Sequence, residues 1–229
     1  MIVPTVDALE RKWEGHLRSY AELLASYNAA RLTGPRNAGE IYGLHVIDSL
    51  YSVALLPKEG KVIDVGSGGG LPGMVWAICR PDLDVTLLDS ARKKCRAMSE
   101  IAAALSLSNV SVIWARCEEH ALKERERYVF ASARALAHAG VVAEYLAPLV
   151  EHGGKIAAFK GPKGVKELED IGGKWKTIGL SEPTTLTYGS DAHGNEERSY
   201  FFVIWEKIST TPPSYPRKPG AALIKSWWV

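Results

Sequence analysis

Asp64-Val-Gly66-Ser-Gly68-Gly69-Gly70-Leu-Pro-Gly73 is the stretch of the chain richest in chemistry. Val62, Ile63 and Val65 flank Asp64 and read as a short buried strand, and Met74-Val-Trp-Ala-Ile78 reads as a helix. Pro72 suits the first turn of that helix, where its missing N–H costs nothing. Strand, glycine-rich turn and helix make an element that holds nucleotides. The glycines let backbone approach the ligand, and the helix start offers N–H groups without partners. Five glycines in eight residues exceed what a tight turn needs. A second acid, Asp89, ends the next apolar run, 25 residues after Asp64. An acid there can accept both ribose hydroxyls of a nucleotide.

Two registers of the glycines compete. Gly68-x-Gly70-x-x-Gly73 matches the dinucleotide fingerprint, which would imply a NAD-dependent oxidoreductase. Asp64-x-Gly66-x-Gly68-x-Gly70 matches the first motif of S-adenosylmethionine-dependent methyltransferases. The dinucleotide register starts late and leaves its last glycine inside the helix, so the methyl donor is favoured. Asp89 serves either ligand. His45 and Asp48 lie three apart on a helical stretch and read as a solvated pair unless they share a functional face. Cys79, Cys95 and Cys117 show neither CxxC nor zinc spacing, which points to a reducing compartment and no metal. None of them sits where a pyrimidine-C5 nucleophile would, after strand four. The Asn-Pro-Pro signature of adenine-N6 chemistry is replaced there by Ser132-Ala-Arg134.

The elements that must position these residues alternate. Helices are expected at 5–30 and 40–55, the first with an apolar face of Leu9, Trp13, Leu17, Tyr20, Leu24 and Tyr27. Strands are expected at 61–65, 84–89, 110–114, 128–131 and 155–159, with helices at 72–79, 91–105, 138–150 and 164–171. Strands at 184–188 and 200–207 flank a hairpin loop, 189–194, and residues 123–127 read as a solvated charge run. The pattern predicts an α/β protein with a mostly parallel sheet and an antiparallel last strand. Ligands in such sheets bind at the carboxyl ends of the strands. Those ends, Gly66, Asp89, Cys117–Glu118, Arg134 and Lys160, are all small, polar or charged. Three segments are expected: a helical extension 1–57, a catalytic domain 58–208, and a basic Pro-rich tail 209–229. A net charge of +2 says little about partners, so local clusters must carry any nucleic-acid argument. No leader and no membrane-length apolar run are visible, so a cytoplasmic protein is expected.

With these residues in view, the chain resembles the bacterial small-subunit ribosomal RNA guanine-N7 methyltransferases, also called glucose-inhibited division protein B. The resemblance rests on Tyr27-Asn28, Leu32-Thr33, His45-x-x-Asp-Ser-Leu50, Asp64 to Gly73, Arg80-Pro81, Leu87-Leu-Asp-Ser90, Arg116-Cys-Glu-Glu119, Arg134-Ala135, Lys160-Gly161, Glu197-Arg198 and Tyr215-Pro-Arg-Lys-Pro-Gly220, in family order. Arg31, Leu44 and Ala133 depart from its pattern. The resemblance implies a Rossmann-like class I methyltransferase fold with a seven-stranded sheet. It implies a monomer that methylates N7 of one guanine in 16S ribosomal RNA, in-line and without a covalent intermediate, converting S-adenosylmethionine to S-adenosylhomocysteine. Its implied donor residues are Gly66, Leu71, Asp89, Cys117, Glu118 and Arg134, the last also a candidate for positioning the reactants, and Gly68, Ser90 and Ala91 are further donor candidates beside them. Candidate contacts to RNA are His45, Arg92, Lys93, Arg96, Lys160, Arg217 and Lys218. The rivals are the oxidoreductase and an RNA-binding protein with an inactive methyltransferase fold. Trp227 and Trp228 are expected to dock on the protein's own core rather than to stack on a base.

Overall fold

Thr5 starts the first helix: its Oγ1 accepts the Ala8 N–H, and α1 runs Val6–Ser26. Leu9, Leu17, Tyr20 and Leu24 of the expected stripe are buried, whereas Trp13 and Tyr27 are only half-buried. The computed structural model describes residues 5–188 and 200–229. They fall into two compact units, Met1–Trp114 and Ala115–Val229.

In the first unit the helix expected at 40–55 is present as one continuous helical run over 38–55, whose hydrogen-bond pattern changes along it. Asn37 Oδ1 caps α2, Ala38–Ile41, by accepting from Gly39 and Glu40. A π-helical turn follows at Tyr42–Val46, then α3, Ile47–Leu50, and a 3₁₀ turn, Tyr51–Leu55. The serines of this stretch compete for its carbonyls: Ser49 Oγ donates to His45 O and Ser52 Oγ to Ser49 O. Ser52 also accepts from Trp76 Nε1 at 2.8 Å, tying the stretch to α4, Gly73–Cys79. Asp48 is buried, so the expectation of a solvated pair with His45 is corrected.

The strands of this unit are β1, Lys61–Val65, β2, Asp84–Asp89, and β3, Val110–Trp114, parallel and ordered β3-β2-β1. The register sets Val65 opposite Leu88 and Asp89 opposite Trp114. Every residue of α4 is buried, and Cys79 ends that helix. Helix α5, Arg92–Ala104, carries the basic residues in its first turns.

The second unit begins with α6, Cys117–Lys123. The sequence pattern did not predict it, because seven residues give too few repeats for a helical period. β4, Tyr128–Arg134, runs parallel to β5, Val150–Lys160. Both strands are longer than expected. Gly153 and Gly154, just before the expected strand, form a bulge within β5, where the pairing jumps from Tyr128–Val150 to Phe130–Lys155. Gly153 has φ +83°, and a Cβ on Gly154 would lie 2.5 Å from Val150 and 2.8 Å from Val129 O. α7, Ala139–Leu146, and α8, Lys163–Ile171, follow. β7, Tyr200–Glu206, is antiparallel to β5 and to β6, Thr184–Tyr188, giving the order β4-β5-β7-β6. Seven strands are thus described, mostly parallel, with the last in sequence antiparallel. The loop expected at 189–194 and the Glu197-Arg198 motif lie outside the described residues.

The tail packs on its own unit. Trp228 stacks on His138 at 4.9 Å between centroids, and Trp227 Nε1 donates to Gly140 O. A Cβ on Gly140 would sit 2.3 Å from the Trp228 ring, so only glycine admits that ring. A short helix, α9, spans Ala221–Ile224. Lys207 is fully buried with its ammonium on Glu126, Ala147 O and Val150 O, a structural use of all three protons.

Candidate functional site

Between β1 and α4 the chain makes the glycine-rich loop. Gly66, Gly68 and Gly70 have φ of +72°, +61° and +100°, where a Cβ is strained. The N–H groups of Gly66 and Ser67 donate to Leu88 O at 2.8 and 3.1 Å, and Ser67 Oγ donates to Asp64 O. These bonds hold the loop on β2. Behind it stands α1: the buried Tyr20 hydroxyl donates to Gly69 O at 2.9 Å, and a Cβ on Gly69 would meet Leu24 at 3.1 Å. Tyr20 was legible only as one residue of an apolar stripe; its hydroxyl is a supporting contact to the loop that periodicity does not signal.

Asp89 closes the arrangement. One carboxylate oxygen accepts from Gly68 N–H at 2.9 Å and the other from Ala91 N–H at 2.8 Å. Each oxygen has capacity for a second donor, as a ribose diol requires. Gly68 differs from the glycines after it. A Cβ there would meet only Gly66 O, at 3.9 Å, and so would point into open space. On Gly70 it would lie 2.6 Å from Met74, and on Gly73 2.2 Å from Leu87. Open backbone at Gly68 beside a carboxylate with spare acceptor capacity is a cradle that fits a nucleoside such as S-adenosylmethionine. Leu71 is half-exposed in the same loop and Ser90 is exposed beside Asp89.

The same loop disfavours a dinucleotide. Asp64 is fully buried, and its Oδ2 accepts the Gly73 N–H at 3.0 Å, at the start of α4. That carboxyl stands where a pyrophosphate would need free helix N–H groups.

In the second unit Cys117 opens α6 and donates Sγ–H to Tyr145 O at 3.3 Å. Glu118 is buried, accepting the Gly220 N–H at 2.9 Å and a hydrogen bond from the Tyr145 hydroxyl. Burial, then the Glu118 charge, pushes Tyr145 up to about 12. Arg134 ends β4, half-buried, its guanidinium 5.7 Å from the Phe159 ring centroid. Burial pushes the Cys79 thiol up to about 12 and raises Cys95 and Cys117 as well, so none presents a thiolate nucleophile at neutral pH.

A family model described as rRNA small subunit methyltransferase G (GidB) matches residues 14–191. The chain belongs to this family. A protein of Moorella thermoacetica named ribosomal RNA small subunit methyltransferase G is 36% identical over 209 residues, covering 89% of this chain and 86% of the relative. One of the same name from Clostridium novyi is 36% identical over 218 residues, covering 90% and 86%. Among solved structures, the antibiotic-resistance methyltransferase Kmr aligns with a TM-score of 0.54 at 19% identity, over 66% of this chain and 88% of that one. The fold is that of the class I methyltransferases.

Within that family frame, the basic residues singled out as RNA contacts divide in two. Arg92, Lys93, Arg96 and Lys218 are exposed. Arg96 pairs with Glu100 at 2.7 Å on the surface, where such a pair contributes little. His45 is half-buried, with Nδ1 3.0 Å from Leu44 O. Lys160 and Arg217 are corrections. Lys160 is buried and its ammonium holds Ala137 O at 2.7 Å and Glu167 at 2.6 Å, while Glu167 also accepts the Ala139 N–H. Arg217 donates through Nε and Nη2 to Glu144, which is only 1% exposed. Their charges are matched inside the protein and are not available to phosphate. Arg217→Ala strands the Glu144 carboxylate and costs about 3 kcal/mol, the low end for a buried pair because the guanidinium is partly exposed. Thermal unfolding is expected to drop by about 6–12 °C, whereas Lys218→Ala leaves the midpoint unmoved; an unchanged midpoint in Arg217→Ala would make this ion pair dispensable.

Among the described residues no helix is long and apolar enough to cross a membrane, and no group of three His, Cys, Asp or Glu could hold a metal ion.

Proposed function

We propose that this chain is an S-adenosylmethionine-dependent methyltransferase that methylates N7 of one guanine in 16S ribosomal RNA, in the cytoplasm. Two things support the reading: membership of the small subunit methyltransferase G family, and, as the observation that carries it, the open backbone at Gly68 bonded to Asp89. Gly66, Gly68, Leu71, Asp89, Ser90 and Ala91 would hold the donor in the first unit. On the family resemblance alone, Cys117, Glu118 and Arg134 are further candidates for the donor.

When bound, the donor supplies an electrophilic methyl on a sulfonium. Guanine N7 has an in-plane lone pair and no proton, so neither a general base nor a covalent intermediate is needed. What remains for the protein is orientation, which alone can supply much of the rate. The Gly68–Asp89 bond fixes the loop before the ligand arrives, and Tyr20 braces it from behind. Arg134, held over Phe159, is the candidate for electrostatic support as positive charge passes to the guanine ring.

The test supplies labelled donor with naked 16S ribosomal RNA, small subunits and assembly intermediates, then maps the product by borohydride–aniline cleavage, which cuts at N7-methylguanine. One labelled guanine is expected. Label at a pyrimidine or adenine, or in no RNA, overturns the reading.

A further inference from the structure

Trp114 is the last residue of β3, and 57% of it is exposed. Leaving an indole in water forgoes burial that most tryptophans obtain. Yet this ring is not loose. Its Nε1–H donates to Ser90 O at 2.9 Å, and the Arg92 guanidinium lies 5.1 Å from its ring centroid. The hydrogen bond and the cation–π contact fix an exposed aromatic surface at the end of a strand, opposite Asp89 in the register. We infer that Trp114 is a stacking platform for an unpaired base of the RNA, with Arg92 and Lys93 taking the phosphates of the same strand.

The exposed charges beside the ring, Arg92 and Lys93, attract a polyanion. Lys93 also lines a cleft of about 630 Å³ with Tyr27, Asn28, Arg96 and Glu100. There the Tyr27 hydroxyl and Arg96 Nε both donate to Glu100, which neutralises the one acid and leaves Lys93 as the uncompensated charge. Aromatic stacking beside a basic track is the way proteins hold single-stranded nucleic acid irrespective of sequence. A ring already fixed by its N–H loses little freedom on binding.

This inference rests on RNA being the substrate, and its test separates the two. Binding of a labelled single-stranded RNA oligonucleotide is read by fluorescence anisotropy, and donor affinity by calorimetry. Trp114→Ala is expected to weaken RNA binding about 5- to 150-fold and to leave donor affinity unchanged, which also shows that the variant is folded. Trp114→Phe should recover most of the loss. Arg92→Ala should flatten the dependence of RNA affinity on salt by about one phosphate contact. Unchanged RNA binding in Trp114→Ala, or a loss of donor affinity with RNA binding intact, overturns the platform. A wild-type enzyme that binds the oligonucleotide but labels no guanine overturns the reading of function and leaves the platform standing.

Discussion

Asp89→Ala is expected to lower affinity for S-adenosylmethionine by about 30- to 4,000-fold, the equivalent of about 2–5 kcal/mol for two hydrogen bonds to a charged acceptor. The structure adds a second route to the loss. The carboxylate that would take the ribose also accepts from Gly68 and Ala91, so alanine leaves two backbone donors without partners and loosens the loop. Asp89→Asn is the milder variant on both routes. Asparagine keeps one acceptor oxygen but turns an NH₂ group against one of the two backbone donors. It therefore damages both the loop and ribose recognition, though less than alanine does. Calorimetry on the three proteins, with thermal unfolding recorded alongside, reads ligand affinity and loop integrity separately. Equal donor affinity in wild type and Asp89→Ala would remove Asp89 from the ribose role.

The loop was legible in the sequence because its requirements are local. Left-handed backbone at residues 66, 68 and 70 demands glycine, and glycine is what the chain shows there. The alternation of strand and helix was legible for the same reason, since periodicity is a property of neighbours. What sequence did not reveal depends on distant partners. Lys160 and Arg217 looked like phosphate contacts because a basic residue at a strand end or in a tail is usually solvated. Only the fold brings Glu167 to one and the buried Glu144 to the other. Trp114 was hidden as the apolar end of a short strand. Its exposure follows from β3 being the outermost strand of its unit, and its fixed orientation from a carbonyl 24 residues away in sequence. The serine hydroxyls that bond back to carbonyls within the second helical run are likewise invisible to an apolar count.

The glycines of the loop divide into two kinds, and a pair of variants is expected to separate them. At Gly68 a Cβ meets no atom beyond its chain neighbours closer than 3.9 Å, so Gly68→Val is expected to remain folded. The left-handed backbone costs a β-branched residue about 1–2 kcal/mol, seen as a fall of about 2–8 °C in the unfolding midpoint. The added carbons then occupy the open space beside Asp89, and donor binding falls below detection by calorimetry. Gly73→Val should do the reverse. Its Cβ would lie 2.2 Å from Leu87 and 3.0 Å from the Asp64 side chain, both buried, and it would push apart the Asp64–Gly73 hydrogen bond. Overpacking of that kind reaches about 3 kcal/mol or beyond, so Gly73→Val should lose more stability than Gly68→Val, and its donor affinity should fall only as far as unfolding explains. If Gly68→Val, folded, binds the donor as tightly as wild type, the open space at Gly68 does not hold the ligand.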